Sequence, residues 1–271
     1  MALLWCVPRT RCGRGRRSYG EGICWASGVP GADCEGTGVM PVAIITGASK
    51  GLGRALGAGL AGNGWDLVLD ARTASVLDEA AEELRSYGTR VEALPGDVTD
   101  AGHRAELVAA ARRLGGLGLL VNNASALGAE PLVRLDGLAL DGLRAALETN
   151  VVAPLGLVQE ALPLLRESAG AVLNVSSDAA LEAYGTWGGY GASKAALDQL
   201  SAVLAVEEPG VRVWAVDPGD LRTDLYRAAA PLDGVSGRPL PRSVVPAFLR
   251  LIAERPASGR LVASELLAGV R

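Results

Sequence analysis

The sequence VAIITGASKGLG, residues 42–53, joins an apolar run to a glycine-rich segment. The apolar residues 42–46 predict a short strand that is covered on both faces. The periodic segment after the glycines, 51–63, predicts a helix. A strand, a glycine-rich turn and a helix in this order are typical of the start of a βαβ unit.

The glycine-rich turn predicts a phosphate-binding loop. Its three glycines allow a tight turn and a close approach of main-chain N–H groups to a phosphate, and the helix N-terminus favours the same negative charge. Because the turn lies at a strand–helix junction, it is typical of a dinucleotide site. The predicted cofactor-binding residues in this loop are Gly47, Ser49, Lys50, Gly51, Leu52 and Gly53.

The rest of the chain repeats the alternation of short apolar runs and longer amphipathic segments. Such alternation predicts an α/β fold with a doubly wound, parallel, Rossmann-like sheet. Residues 219–243, rich in glycine and proline, are expected to form an irregular substrate flap. The predicted strands are 42–46, 66–70, 90–96, 118–123, 171–177 and 211–219. The predicted helices are 51–63, 74–87, 100–114, 137–167 and 188–207.

Composition excludes several classes of protein. With 49% apolar and 21% charged residues the chain can bury a sizeable core, and a net charge of -4 gives no reason to expect nucleic acid as a partner. No apolar run approaches the length of a membrane span. The four cysteines lie within the first 34 residues without a CxxC pair, so no metal site and a cytoplasmic location are expected. His103 is expected to be a surface residue on a helix.

Residues 1–39 differ in composition from the rest of the chain, with clustered arginines, glycines and cysteines and no hydrophobic periodicity. We expect a disordered tail, or an upstream extension of a reading frame whose natural start is Met40. Residues 40–271 are predicted to form one NAD(P)-binding Rossmann domain.

The end of the second predicted strand, LVLDAR, bears on the choice of dinucleotide. NAD sites carry an acid at this point, whereas NADP sites carry cations. If the sequence is aligned with Ala71 at the position of this acid, Arg72 and Lys50 provide two cations for a ribose phosphate. Shifted by one residue, Asp70 becomes an acid of the NAD type. The first alignment predicts NADP(H), and NAD(H) is the less favoured alternative.

Several ordered motifs extend the pattern over residues 40–271. With these motifs the chain resembles the short-chain dehydrogenase/reductase family, and the three residues between Gly47 and Gly51 favour its compact single-domain subclass. Ser125 stands where that family often has glycine, a small change that we expect to be tolerated. The motifs are TGASKGLG (46–53), GDVTD (96–100), NNAS (122–125), Asn150, NVSS (174–177), YGASK (190–194) and PGDLRT (218–223).

The resemblance implies a role for each matching residue. The catalytic set would be Asn150, Ser177, Tyr190 and Lys194, with Asn150 helping to hold a water that relays protons toward Lys194. Further cofactor contacts would come from Asp97 and Val98 at the adenine, Asn123 and Ala124 along the cleft, and Pro218, Gly219 and Thr223 at the nicotinamide carboxamide. Tyr190 and Lys194 would also bind the cofactor.

The spacing of Tyr190 and Lys194 places both on one face of a helix. A free tyrosine has a pKa of about 10. A nearby ammonium and an oxidised nicotinamide both favour the phenolate, so we expect a lowered pKa for Tyr190 and a role as general acid or base. Tyr184 has no lysine four residues later and is expected to be structural or to line the pocket with Trp187.

These features predict an NADP(H)-dependent oxidoreductase that interconverts a carbonyl and a secondary alcohol by hydride transfer. The alternative is a catalytically silent NADP(H)-binding sensor or scaffold with the same fold. Substrate contacts are expected from 126–130, 178–188 and the flap, where Arg222 would either meet a polar substrate or pair with Asp220 or Asp224. The resemblance also implies a homodimer or homotetramer, with no membrane partner.

Overall fold

The computed structural model describes residues 40–268 and, before them, two short strands, Ile23–Cys24 and Val29–Pro30. The chain divides into two units, Met1–Gly38 and Val39–Arg271. In the first unit the two short strands pair antiparallel. Apart from them, the predicted tail or extension at 1–39 lies outside the described residues.

The second unit contains a seven-stranded sheet in which all neighbouring strands are parallel. The strand order is β3-β2-β1-β4-β5-β6-β7, which is that of a doubly wound Rossmann-like sheet and confirms the predicted fold class. The seventh strand was not predicted from the sequence. The strands are β1 (Val42–Ile45), β2 (Asp66–Ala71), β3 (Val91–Pro95), β4 (Leu119–Asn122), β5 (Ala171–Val175), β6 (Arg212–Asp217) and β7 (Gly259–Val262).

Helices flank the sheet: α1 (Gly51–Gly62) packs against α2 (Ala74–Arg85) and α8 (Val245–Glu254), and α3 (Ala101–Leu114) packs against α5 (Ala153–Glu167). Strands β1, β2, β4 and β5 are buried along their whole length, as their predominantly apolar sequences predict. None of the helices in the part of the chain described by the structure is long and apolar enough to cross a bilayer. The helices are α1 (Gly51–Gly62), α2 (Ala74–Arg85), α3 (Ala101–Leu114), α4 (Leu140–Leu147), α5 (Ala153–Glu167), α6 (Gly188–Glu207), α7 (Asp224–Ala229), α8 (Val245–Glu254) and α9 (Ala263–Ala268).

The prediction of a single helix over 137–167 is wrong, because the structure divides this range into several elements. A 3₁₀ turn precedes α4, and a π-helical turn, Glu148–Val152, separates α4 from α5. Pro154 at the start of α5 has no N–H to donate to the carbonyl of Asn150, so the regular α-helical pattern cannot run through this point. The interruption places Asn150 in a π-helical turn, a feature frequent at functional sites.

The predicted flap, 219–243, is less irregular than expected. Residues Asp224–Ala229 form α7, whose first turn is capped by the Thr223 hydroxyl accepting from Tyr226 N at 3.2 Å. This cap satisfies a helix N–H group that would otherwise face solvent. The flap therefore has a short rigid element beside the carboxyl ends of the strands.

Candidate active site

A cavity of about 590 Å³ lies beyond the carboxyl ends of the central strands. Its walls come from the residues that follow β1, β2, β4, β5 and β6 and from the flap. This is where ligands bind in open parallel sheets.

Most of the predicted site residues line this cavity, and some do not. Those that line it are Gly47, Lys50, Gly51, Leu52, Arg72, Asn123, Ala124, Ser177, Tyr190, Lys194, Pro218, Gly219 and Thr223. Those that lie outside its walls are Ser49, Gly53, Asp97, Val98 and Asn150.

The glycine loop has the geometry of a phosphate cradle. Gly47 and Gly51 adopt φ of 64° and 54°, a region that suits glycine. A Cβ on Gly53 would lie 2.5 Å from the Gly47 carbonyl oxygen, so only glycine fits there. Lys50 caps α1 without a side-chain hydrogen bond, which leaves N–H groups of the first turn to a ligand. The loop fits the pyrophosphate of a dinucleotide.

Asp70 is not available as an acid of the NAD type. Its carboxylate accepts from His103 Nε2 at 2.7 Å and from Gly47 N at 3.4 Å, and Asp70 does not line the cavity. Burial raises the pKa of Asp70, while the His103 hydrogen bond lowers it. The expectation that His103 is a surface residue is wrong, because α3 turns it inward and leaves it 8% exposed.

Two cations do border the cavity at this end, Lys50 and Arg72. Lys50 Nζ lies 3.5 Å from the Asp224 carboxylate, which connects the glycine loop to α7 of the flap. Both partners are mostly exposed, so the pair contributes little stability. Arg72 is exposed and faces the space that a ribose phosphate would need.

Asp97 and Val98 lie apart from the cavity. Asp97 is exposed and accepts from Thr99 N at 2.9 Å and Thr99 Oγ1 at 2.8 Å, and these bonds lower its pKa. Val98 is buried in the hydrophobic core beside α3. Their implied contact with adenine stays a prediction.

Tyr190 and Lys194 lie one turn apart in α6, as their spacing predicts. Lys194 is 2% exposed, its Nζ donates to the Val175 carbonyl at 2.8 Å, and it lies 5.6 Å from the centre of the Tyr190 ring. A Cβ on Gly191 would lie 2.5 Å from the Ala179 carbonyl oxygen. The glycine of YGASK therefore allows α6 to approach the turn after Ser177.

The pKa values in this protein run against the sequence-based expectation. Burial raises the pKa of Tyr190 to about 12, although the Ser125 and Ser177 hydroxyls lower it. Burial also lowers the pKa of Lys194 to about 8. Without a bound nicotinamide, burial favours the neutral phenol form of Tyr190.

Ser177 follows β5 and is held at both its main chain and its hydroxyl. Its Oγ donates to Asp178 Oδ1 at 3.0 Å and accepts from Ala179 N at 3.2 Å. Arg260, in the unpredicted strand β7, donates to the Ser177 carbonyl at 3.0 Å and pairs with Asp198 of α6 at 3.0 Å. Strand β7 therefore fixes Ser177 relative to the helix that carries Tyr190.

The Asn150 side chain is fully buried and forms hydrogen bonds with two other segments of the chain. Its Nδ2 donates to the Ala126 carbonyl and to Ser193 Oγ, each at 2.8 Å, and its Oδ1 accepts from Ala126 N at 2.8 Å. Ser193 Oγ donates in turn to the Tyr190 carbonyl at 2.6 Å. The side chain of Asn150 thus positions α6, and its role in a water relay stays a prediction.

The sequence analysis predicted no functional role for Ser125. This residue lines the cavity, and its buried hydroxyl lies beside Tyr190, whose pKa it lowers. The available signal was its departure from the family's glycine, because that departure adds a hydroxyl beside Tyr190. Asp217 at the end of β6 was also missed, although it lines the cavity and accepts from Gly219 N at 2.9 Å.

The half of the cavity beyond Tyr190 is aromatic. The Trp187 ring lies 5.7 Å from that of Tyr190 and 6.1 Å from that of Tyr226, measured between centroids. Tyr184 also lines the wall, as expected. Arg222 neither lines the cavity nor pairs with Asp220 or Asp224; it donates to the Ser236 carbonyl instead.

Comparison with known proteins gives a consistent result. A sequence model of the family described as short chain dehydrogenase matches residues 41–231. Sepiapterin reductase of Rattus norvegicus is 39% identical over 204 residues, which is 69% of this chain and 77% of that protein. The rhamnolipids biosynthesis 3-oxoacyl-[acyl-carrier-protein] reductase of Pseudomonas aeruginosa is 34% identical over 198 residues, 70% of this chain and 76% of that protein.

A solved structure agrees in fold. The alcohol dehydrogenase of the archaeon Thermococcus sibiricus, complexed with 5-hydroxy-NADP, is 28% identical with a TM-score of 0.75, over 82% of this chain and 95% of that chain. The parallel sheet and the glycine loop agree with this family assignment, and the family's sequence model covers most of the chain. This chain belongs to the short-chain dehydrogenase family and is an oxidoreductase of that type.

Proposed function

We propose that this protein reduces a carbonyl to a secondary alcohol with NADPH, and catalyses the reverse reaction with NADP⁺. The observation that carries the proposal is the placement of Tyr190 as a buried phenol between Ser177 and Lys194 on one cavity wall. A phenol that keeps its proton at neutral pH can donate it to a developing alkoxide. The tyrosine is therefore set as a general acid for reduction.

The choice of NADP(H) is supported by charge. Arg72 and Lys50 border the cavity at the glycine-loop end, while the carboxylate of Asp70 is turned inward to His103. A ribose 2′-phosphate would meet two cations there, and it would replace the exposed Asp224 carboxylate as the partner of Lys50. The NADP analogue bound in the Thermococcus sibiricus relative supports the same choice.

Each part of the site would have a separate task in the reaction. The glycine loop would hold the pyrophosphate, and Lys194 would hold the ribose next to the nicotinamide. NADPH supplies a hydride to the carbonyl carbon. Tyr190 Oη gives its proton to the carbonyl oxygen, and rotation of the Ser177 hydroxyl away from Asp178 allows a second hydrogen bond to that oxygen.

A direct test follows NADPH oxidation over a panel of aldehydes and ketones of different size and charge. Turnover of at least one carbonyl, with a preference for NADPH over NADH, is the expected result. Tight NADPH binding without turnover on a wide panel would contradict the proposal and favour the sensor or scaffold.

Arg72→Ala should weaken NADPH binding by about 10- to 100-fold, because a charge-assisted contact to a phosphate is lost. NADH lacks that phosphate, so its affinity should change by less than about twofold. Fluorescence titration with each dinucleotide measures both. Arg144→Ala is the matched control, since Arg144 is exposed and pairs with Asp141 away from the cavity. Equal losses for NADPH and NADH would contradict the assignment of Arg72.

Ser125→Ala should shift the pH dependence of alcohol oxidation to higher pH. Burial sets the high pKa of Tyr190, and the Ser125 hydroxyl acts against it, so removal of the hydroxyl raises that pKa further. In the oxidation direction Tyr190 must first lose its proton, so the rise of kcat/KM with pH should begin later. Ser243→Ala, exposed and outside the cavity, is the control. A profile that stays in place would show that Ser125 does not act on Tyr190.

A further inference from the structure

Charge is unevenly distributed along the cavity wall. The glycine-loop end carries Lys50 and Arg72, whereas the lining residues beyond the catalytic set include no lysine, arginine or histidine. Five carboxylates line the cavity: Asp224 pairs with Lys50 at the glycine-loop end, and Asp178, Asp217, Asp220 and Asp233 line the rest. An anionic substrate would be repelled here and a cationic one attracted.

Asp178 accepts hydrogen bonds only from neutral donors and is held by three of them. Its Oδ1 accepts from Ala179 N at 2.8 Å and from Ser177 Oγ at 3.0 Å, and its Oδ2 accepts from Tyr184 Oη at 3.0 Å. No cation of residues 40–268 pairs with it, whereas Asp220 lies 3.3 Å from Arg238. A carboxylate offers about four acceptor sites, so Asp178 can take one more donor.

The same half of the cavity has further features that suit an organic cation. The Trp187 ring lines this space together with Leu127 and Leu225, while the Tyr226 ring stacks against the Arg238 guanidinium, 3.9 Å from the ring centre. Aromatic rings attract ammonium groups through their faces. The buried Ser125 hydroxyl lines the cavity beside Tyr190 and can bind a polar atom of a ligand.

We propose that the substrate is an amino ketone, or the corresponding amino alcohol, and that Asp178 binds its protonated amine. Asp178 directly follows Ser177, so the amine would be attached close to the carbon that bears the reacting oxygen. The apolar and aromatic wall would take the rest of a substrate with an aromatic or branched body. This inference rests on the proposed carbonyl chemistry and adds the substrate class to it.

Three ligands of similar size and shape distinguish the effect of charge on binding from the effect of size. These are 2-amino-1-phenylethanol, a cation at neutral pH, 1-phenyl-1,2-ethanediol, which is neutral, and mandelate, an anion. Calorimetric titration of the NADPH-bound protein measures their affinities without requiring turnover. The cation should bind about tenfold more tightly than the diol, and mandelate more weakly than either.

Asp178→Asn should reduce the preference for the amine over the diol to less than about twofold. Asp141→Asn, whose side chain is 94% exposed and pairs with Arg144 on α4, is the matched control and should keep the full preference. The melting temperature of each variant reports whether it is folded.

Each outcome bears on one of the two proposals. Equal binding of the amine and the diol, tighter binding of mandelate, no binding of any ligand, or a preference that survives in folded Asp178→Asn would overturn the amine inference. Turnover of neutral ketones in any of these cases would leave the carbonyl chemistry intact. Selective amine binding without hydride transfer to any amino ketone would support the binding role of Asp178 while contradicting the proposed reaction.

Discussion

Tyr190→Phe should lower kcat for carbonyl reduction by about 100- to 10,000-fold, the range that a positioned general acid contributes. Phenylalanine keeps the ring that packs against Trp187 and removes only the hydroxyl that carries the proton. The Tyr190 hydroxyl lies beside the Ser125 and Ser177 hydroxyls on the cavity wall, so its loss removes contacts in the cavity and none in the hydrophobic core. Activity should therefore fall without a comparable loss of stability.

The controls make this result specific. NADPH affinity should change by less than about threefold, because the loop and the cations that would hold the cofactor are untouched. Tyr87→Phe, an exposed tyrosine outside the cavity, should retain wild-type turnover. Similar activity of Tyr190→Phe and the wild type would overturn the assignment of Tyr190 as the proton donor.

His103→Ala should lower the free energy of unfolding by about 3–5 kcal/mol, the cost of leaving a buried charge without its partner. Asp70 is 2% exposed, and without the imidazole its carboxylate would keep only the 3.4 Å contact with Gly47 N. For a domain of this size the melting temperature should fall by roughly 6–20 °C. Thermal and chemical denaturation measure the change.

A double-mutant cycle distinguishes the loss of the Asp70–His103 interaction from the loss of packing by the imidazole ring. Asp70→Ala with His103→Ala should be less destabilised than the sum of the two single variants, since the double variant leaves no buried charge. Asp70→Asn, which keeps a hydrogen-bonding group, should cost less than His103→Ala. Strictly additive losses of unfolding free energy would show that the carboxylate and the imidazole do not stabilise each other.

The fold was largely predictable because local and long-range signals agree. The predominantly apolar segments at 42–46 and 66–70 lie in strands buried on both faces, and the glycines of the loop match positions where a Cβ would clash or φ is positive. The Tyr190–Lys194 spacing likewise follows from helical periodicity alone. These features depend on neighbours within a few residues of each other.

The parts that were missed depend on contacts distant in sequence. His103 looked like a surface residue because its partner, Asp70, is 33 positions away. Strand β7, with a partly exposed GRLV sequence, has no clear strand pattern and is defined by pairing with β6. The burial that raises the pKa of Tyr190 in the cofactor-free protein was missed, because the spacing to Lys194 says nothing about burial.

The placement of the two lysines has a practical consequence for handling the protein. All other basic side chains except the histidine are arginines, and of the two ε-amines Lys194 is buried while the Lys50 side chain is 61% exposed. Amine-reactive dyes, cross-linkers and immobilisation resins will therefore attach at Lys50 or at the chain's α-amine. Attachment at Lys50 would obstruct the mouth of the cavity, so surface capture and labelling should use another chemistry, or should be done with the cavity filled by a ligand.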